Sequence, residues 1–160
     1  MPKAKRPLVV VTRKLPDSVE TRMRELFDAQ INIDDTPMTP DQLAAAMRSA
    51  DVLVPTVTDR IDASVLKEAG DRLKLIANFG NGVDNIDVPK ATARGVIVMN
   101  TPFGNSITTA EHAISLMLAL ARQIPEADTS TRAGKWEKNK FMGVEIFGKT
   151  LGVIGCGNIG

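Results

Sequence analysis

Leu73-Lys74-Leu75-Ile76-Ala77-Asn78-Phe79-Gly80-Asn81-Gly82-Val83-Asp84-Asn85-Ile86-Asp87 begins apolar and ends in glycine, asparagine and aspartate. Its first part, residues 73–78, is a short apolar run bounded by turn residues and reads as a buried strand. Residues 79–87 read as a loop. Asp87 stands where an N-cap would open the next helix, which carries Lys90 to Arg94. Gly95 ends that helix, and residues 96–99 form another strand. Two strands joined through a helix predict a right-handed crossover and parallel pairing.

Upstream the same unit recurs. Residues 7–12, centred on Leu8-Val9-Val10-Val11-Thr12, form a β-branched buried strand. Pro16-Asp17-Ser18 opens a helix with Val19, Met23, Leu26 and Phe27 on one face. Residues 30–34 read as a weaker strand. Thr39-Pro40-Asp41-Gln42 fits a capping box, with proline at the first helical position, and Leu43, Met47 and Ala50 form that helix's apolar stripe. A third strand, within 51–55, turns at residues 55–59 and leads to a short helix near Asp62. Five strands alternating with helices predict an α/β fold: a flavodoxin-like parallel sheet with helices on both faces and residues 79–87 at its carboxyl edge.

Downstream the rhythm changes. Residues 106–122 form the longest helix, with a second capping box at Thr108 and Glu111. It is apolar nearly all round, so it must be covered by neighbouring domains or another subunit. Pro125 is expected to stop it. A polar helix to about Ala133 and a loop over 134–148 then lead to a strand at 150–154. That strand runs into Gly155-Cys156-Gly157-Asn158-Ile159-Gly160, a G-x-G-x-x-G turn. Gly155 permits the tight turn, Gly157 lets backbone approach a pyrophosphate, and Gly160 lets a following helix pack close. Such a turn following a strand favours the opening of a Rossmann dinucleotide site over the alternative, an ordinary glycine-rich turn.

Composition excludes several classes. Twenty basic against nineteen acidic residues give a net charge of +1, so no excess field points to nucleic acid or an anionic membrane. The apolar runs fall far short of the ~20 residues a bilayer span needs. The charged start, residues 1–6, precedes too short an apolar run for a secretory signal. The single cysteine, Cys156, rules out an internal disulfide framework and a cysteine-cluster metal site. A cytoplasmic chain without a metal site is expected.

The loop over 78–87 is the first chemical candidate. Gly80 and Gly82 leave backbone amides uncovered, a nest suited to a carboxylate. Asp84 and Asp87 are a formal acid/base pair, yet such residues more often satisfy loop amides and cap helices. His112, the only histidine, has no nucleophile or metal partner beside it and reads as a structural or interface residue. Cys156 reads as small filler in the glycine turn, and Trp136 as a packing anchor among balanced charges.

On these motifs the chain resembles the D-isomer-specific 2-hydroxyacid dehydrogenases. Gly80 to Asp87 looks like that family's substrate-carboxylate loop. Residues 100–106, 120–125, 134–137 and 148–160 resemble its phosphoglycerate dehydrogenase branch, whereas residues up to about 100 look more like glyoxylate/hydroxypyruvate reductases. The seam falls near residues 100–102. Where phosphoglycerate dehydrogenases place an Arg-Ser pair, this chain reads Pro55-Thr56-Val57-Thr58-Asp59-Arg60, so the fork for a phosphate is missing.

The resemblance implies a hydride exchange between NAD or NADP and a small 2-hydroxy/2-oxo acid, with glyoxylate or hydroxypyruvate favoured. Asn81, Gly82 and Val83 would hold the substrate carboxylate, with Asn81 also touching the cofactor. Gly155, Gly157, Asn158, Ile159 and Gly160 would cradle the pyrophosphate. It further implies a substrate domain over 1–100, and interdomain helices plus the start of an NAD(P)-binding domain over 101–160. The family's catalytic arginine, acidic partner and histidine would all follow Gly160, so none is assigned here and the 160 residues alone are expected to be inactive. Apart from the resemblance, the apolar surface of helix 108–122 leads to the expectation of a homodimer through it. The rival readings are a fragment that only folds and associates, 3-phosphoglycerate dehydrogenase, and a flavodoxin-like receiver. The receiver lacks acidic residues at the ends of its first and third strands, Thr12-Arg13 and Pro55-Thr56.

Overall fold

A computed structural model describes residues 5–160, so residues 1–4 of the charged start lie outside it. The chain divides into two compact units, Met1–Pro102 and Phe103–Gly160. The first is an α/β unit with five parallel strands, β1 (Leu8–Val11), β2 (Asp28–Gln30), β3 (Val52–Val54), β4 (Leu75–Ala77) and β5 (Ile97–Met99). Their order across the sheet is β2-β1-β3-β4-β5, the flavodoxin-like order expected from the sequence. β2 lies earlier than expected, at 28–30 instead of 30–34. The backbone ladder to β1 holds Asp28, Ala29 and Gln30 opposite Leu8, Val9 and Val10. This edge strand is too short and too polar to announce itself by an apolar run.

Side chains along a strand alternate between faces, and the core divides accordingly. Val10, Leu53 and Ile76 enter one layer with Leu43, Met47, Leu66 and Ala91, beneath helices α2 (Pro40–Ser49), α3 (Ala63–Leu66) and α4 (Val88–Ala93). Val9, Val11 and Val54 enter the other layer, where Val19 and Met23 of α1 (Asp17–Leu26) pack against them. Leu26 and Phe27, expected on that buried face, are 46% and 37% exposed; Leu26 is the last residue of α1 and Phe27 its C-cap.

Caps explain the helix starts. Thr39 and Gln42 form the expected capping box on α2: the Gln42 amide donates to Thr39 Oγ1 and the Thr39 amide to Gln42 Oε1. Asp62 accepts from the amides of Ser64 and Val65, and Asp87 from that of Lys90.

The second unit holds α5 (Ser106–Ala121) and α6 (Ile124–Arg132). Four expectations fail here. Thr108 lies inside α5, whose N-cap is Asn105 without a side-chain cap bond, so the box at Thr108 and Glu111 does not form. Pro125 does not stop α5. The break comes at Gln123, which adopts a left-handed φ of 52°, and Pro125 sits in the first turn of α6, where a missing amide costs nothing. Residues 150–154 form no strand, because no ladder partner pairs with them and a lone strand is not stable. Leu151, Val153 and Ile154 are correspondingly exposed. Trp136, expected as an anchor, is 87% exposed. Among the described residues no helix is long and apolar enough to cross a membrane.

Candidate functional site

Parallel sheets present the carboxyl ends of their strands as a rim on which loops collect. Here that rim carries Thr12 and Arg13 after β1, residues 55–59 after β3 and residues 78–87 after β4. Phe79 continues β4 far enough to bridge Thr56, and Ile61 bridges Ile86, so the two loops are tied side by side. Gly80 permits this closeness: a Cβ there would meet Val57 Cγ1.

The carbonyls of the loop are pinned one after another. Gly80 accepts from the Thr101 amide at 2.9 Å and the Thr101 hydroxyl at 3.1 Å. Asn81 accepts from Asn100 Nδ2 at 2.6 Å, Gly82 from Asn78 Nδ2 at 2.8 Å, and Val83 from the Ile86 amide at 3.0 Å. The amides of Gly82 and Val83 donate to no protein acceptor among the described residues. The Asp84 carboxylate folds back over Gly82, close enough that a Cβ there would lie 2.7 Å from its Oδ1. Asp84 and Asp87 therefore do not form an acid/base pair: Asp87 is committed to its cap and Asp84 flanks the loop.

Two buried networks hold this rim, and the sequence reading missed both. Asp59, 4% exposed, accepts from the Thr12 hydroxyl at 2.5 Å, the Thr56 amide at 2.8 Å and the Thr56 hydroxyl at 3.2 Å. Asn78 Nδ2 donates to Asn85 Oδ1 at 3.2 Å. Asn85 Nδ2 donates to the carbonyls of Thr56 and Asp59, both at 3.1 Å. A polar residue closing an apolar strand, as Asn78 does, was the available signal for the second network.

A third cluster sets the charge of the rim. Arg13 donates to both carboxylate oxygens of Asp35, at 2.9 and 3.3 Å, and to the Thr58 hydroxyl at 2.9 Å. The Arg13 guanidinium and the Lys14 amide hold the Asp35 carboxyl below the usual carboxylate range, and Asp35 raises Arg13 further. Arg60, which directly follows the β3 turn, pairs with Asp62 and is mostly exposed.

The second unit carries the glycine turn. Gly155 adopts φ 92°, which its lack of a side chain permits, and Gly160 returns so close to the Gly155 carbonyl that a Cβ could not be placed there. Nothing crowds Gly157. The turn is thus tight between Gly155 and Gly160 and uncrowded at Gly157. Asn158 and Ile159 lie within it, exposed, and Cys156 is exposed as well. His112 is exposed on α5. Among the described residues, no three of His, Cys, Asp and Glu gather as a metal site.

The profile of the D-isomer specific 2-hydroxyacid dehydrogenase catalytic domain matches residues 9–153, and the chain belongs to that family. It is 44% identical over 154 residues to D-3-phosphoglycerate dehydrogenase of Mycobacterium tuberculosis, covering 96% of this chain and 28% of that protein. It is 38% identical over 162 residues to glyoxylate reductase of Thermococcus onnurineus, covering 97% and 48%. The solved NADPH-dependent glyoxylate/hydroxypyruvate reductase of Sinorhizobium meliloti, in complex with NADP and malonate, superposes with a TM-score of 0.78 at 28% identity, covering 97% of this chain and 48% of that one. The chain thus spans between about a quarter and a half of the length of these relatives.

Proposed function

We propose that this chain serves an NAD(P)-dependent dehydrogenase that exchanges a hydride with a small 2-oxo or 2-hydroxy acid. The observation that carries the reading is the pair of Gly82 and Val83 amides, left without protein acceptors at the carboxyl rim while the loop's carbonyls are pinned. Two backbone amides and the Asn81 segment preceding them suit one carboxylate. NAD(P), bound through its pyrophosphate at Gly155, Gly157, Asn158, Ile159 and Gly160, supplies the hydride donor or acceptor. The protein's part is to bind and orient the acid, and Asn81 is the residue of the loop assigned to the cofactor as well. In this reading residues 1–100 are a substrate domain and residues 101–160 carry interdomain helices and the start of the cofactor domain. The protein is cytoplasmic and needs no metal.

Glyoxylate or hydroxypyruvate is the preferred substrate class. The kinship to phosphoglycerate dehydrogenase favours the phosphorylated acid as the second reading. Against it, Arg13 is already bound by Asp35 and Thr58, Arg60 is paired with Asp62, and no arginine occupies positions 55–59. A dianion has no free fork there. The test is kinetic: in a dehydrogenase containing this chain, glyoxylate or hydroxypyruvate is expected to be turned over with higher kcat/KM than 3-phosphoglycerate. Val83→Pro, which deletes one of the two amides, is expected to raise KM for the acid roughly tenfold, the equivalent of a charge-assisted hydrogen bond. An unchanged KM in a folded variant refutes the carboxylate loop.

A further inference from the structure

We propose that Asn78 and Asn100 are positioning residues for the substrate carboxylate, turning the amides of Gly82 and Val83 outward by gripping the carbonyls behind them. This rests on the reading of residues 81–83 as the carboxylate loop and adds what aims it. In a trans peptide the C=O and N–H of one plane point in opposite directions. The Asn81 carbonyl is held by Asn100 Nδ2, so the Gly82 N–H on the same plane faces the other way. The Gly82 carbonyl is held by Asn78 Nδ2, so the Val83 N–H also faces away. Two side chains thus set two consecutive donors.

The loop needs that grip. Gly80 and Gly82 remove the side-chain sterics that would otherwise restrict the backbone, so local conformation does not fix where these planes point. The grip is itself oriented. Asn85 faces the carbonyls of Thr56 and Asp59, and only its Nδ2 can donate to them. Its Oδ1 is thereby presented to Asn78, which must answer with Nδ2, and the remaining hydrogen of that nitrogen reaches Gly82. Asn78 is 1% exposed, so no water competes for the arrangement. Asn100 is only partly buried and acts independently of this chain of amides.

The test pairs each variant with the substrate's charge. In a dehydrogenase containing this chain, kcat and KM are measured for glyoxylate and for glyoxylamide, its neutral analogue, with the wild type, Asn100→Ala and Asn78→Ala. Misaimed donors cost the carboxylate more than the amide. Asn100→Ala is expected to raise KM for glyoxylate roughly tenfold, to change KM for glyoxylamide by less than about twofold, and to leave kcat at saturation nearly unchanged. Asn78→Ala should act the same way. If it lowers the melting temperature sharply, Asn100→Ala decides alone. Equal losses on both substrates in a variant that melts like the wild type overturn the positioning role. A wild type that uses glyoxylate and glyoxylamide equally well instead refutes the carboxylate loop itself, so the two failures are distinguishable.

Discussion

Asp59 shows how much a single side chain organises at this rim. One buried carboxylate collects a hydroxyl from the residue that follows β1 and an amide and a hydroxyl from the turn after β3. Its own backbone carbonyl receives Asn85 from the loop after β4. Asp59→Ala leaves buried donors without acceptors, and the cost is expected to be about 2–3 kcal/mol in urea unfolding. A loss below about 0.5 kcal/mol, the level of an ordinary surface change, would show that water replaces the carboxylate. Arg13 and Asp35 give a contrasting case, where the pairing governs charge instead of packing. Asp35→Asn releases the guanidinium from its counterion while keeping a side chain of the same size. The ratio of kcat/KM for 3-phosphoglycerate to that for glyoxylate is expected to rise, and a ratio that stays fixed would place the distal end of the substrate elsewhere.

At the scale of elements, α2 and α5 behave oppositely. In α2 the apolar stripe of Leu43 and Met47 is buried and the capping box closes the first turn. Met47, fully buried, fills the layer between α2 and the sheet, and Met47→Ala is expected to cost about 2–5 kcal/mol through the cavity it leaves. Thr39→Ala, which removes only the cap, should cost about 1 kcal/mol in the same denaturation experiment. In α5 almost every apolar residue remains accessible, with Ile107 at 77% and Leu120 at 81%. The homodimer proposed through residues 108–122 would cover this apolar surface. Light scattering on a dehydrogenase containing this chain is expected to report a dimer, and Leu120→Glu to shift it toward monomer. A wild-type monomer would count against this face.

The sheet as a whole responds to acid through its paired carboxylates. Asp35, Asp51 and Asp62 all titrate below the usual carboxylate range in the folded state. The causes are a hydrogen bond from Arg13 for Asp35, one from Arg72 for Asp51, and the Ser64 hydroxyl with its neighbouring amides for Asp62. A depressed folded pKa means that the unfolded chain takes up protons first. The stabilisation is therefore present above the unfolded value of about 3.9 and is lost as pH falls through the folded values. Unfolding followed by circular dichroism between pH 6 and pH 2 is expected to show stability falling at the acid end of that range, and Asp51→Asn should flatten the fall.

Much of this architecture was legible from local pattern. The apolar runs of β1, β3, β4 and β5 and the stripe of α2 are periodic signals that survive in one dimension. The caps at Thr39, Asp62 and Asp87 involve residues two or three apart, and a glycine-rich loop after a strand is visible as written. The resemblance carried the family in the same way, through short motifs in order. Other features depend on partners far away in the chain. β2 is defined by its ladder to β1, the strand expected at 150–154 fails for want of any ladder, and Asp59 meets Thr12 across 47 positions. Asn78, Asn85 and Asn100 read as loop polarity until the fold sets them against one another and against the backbone of residues 81 and 82. Hydrogen bonds between distant residues leave no period in a sequence, so only the folded chain could assign them.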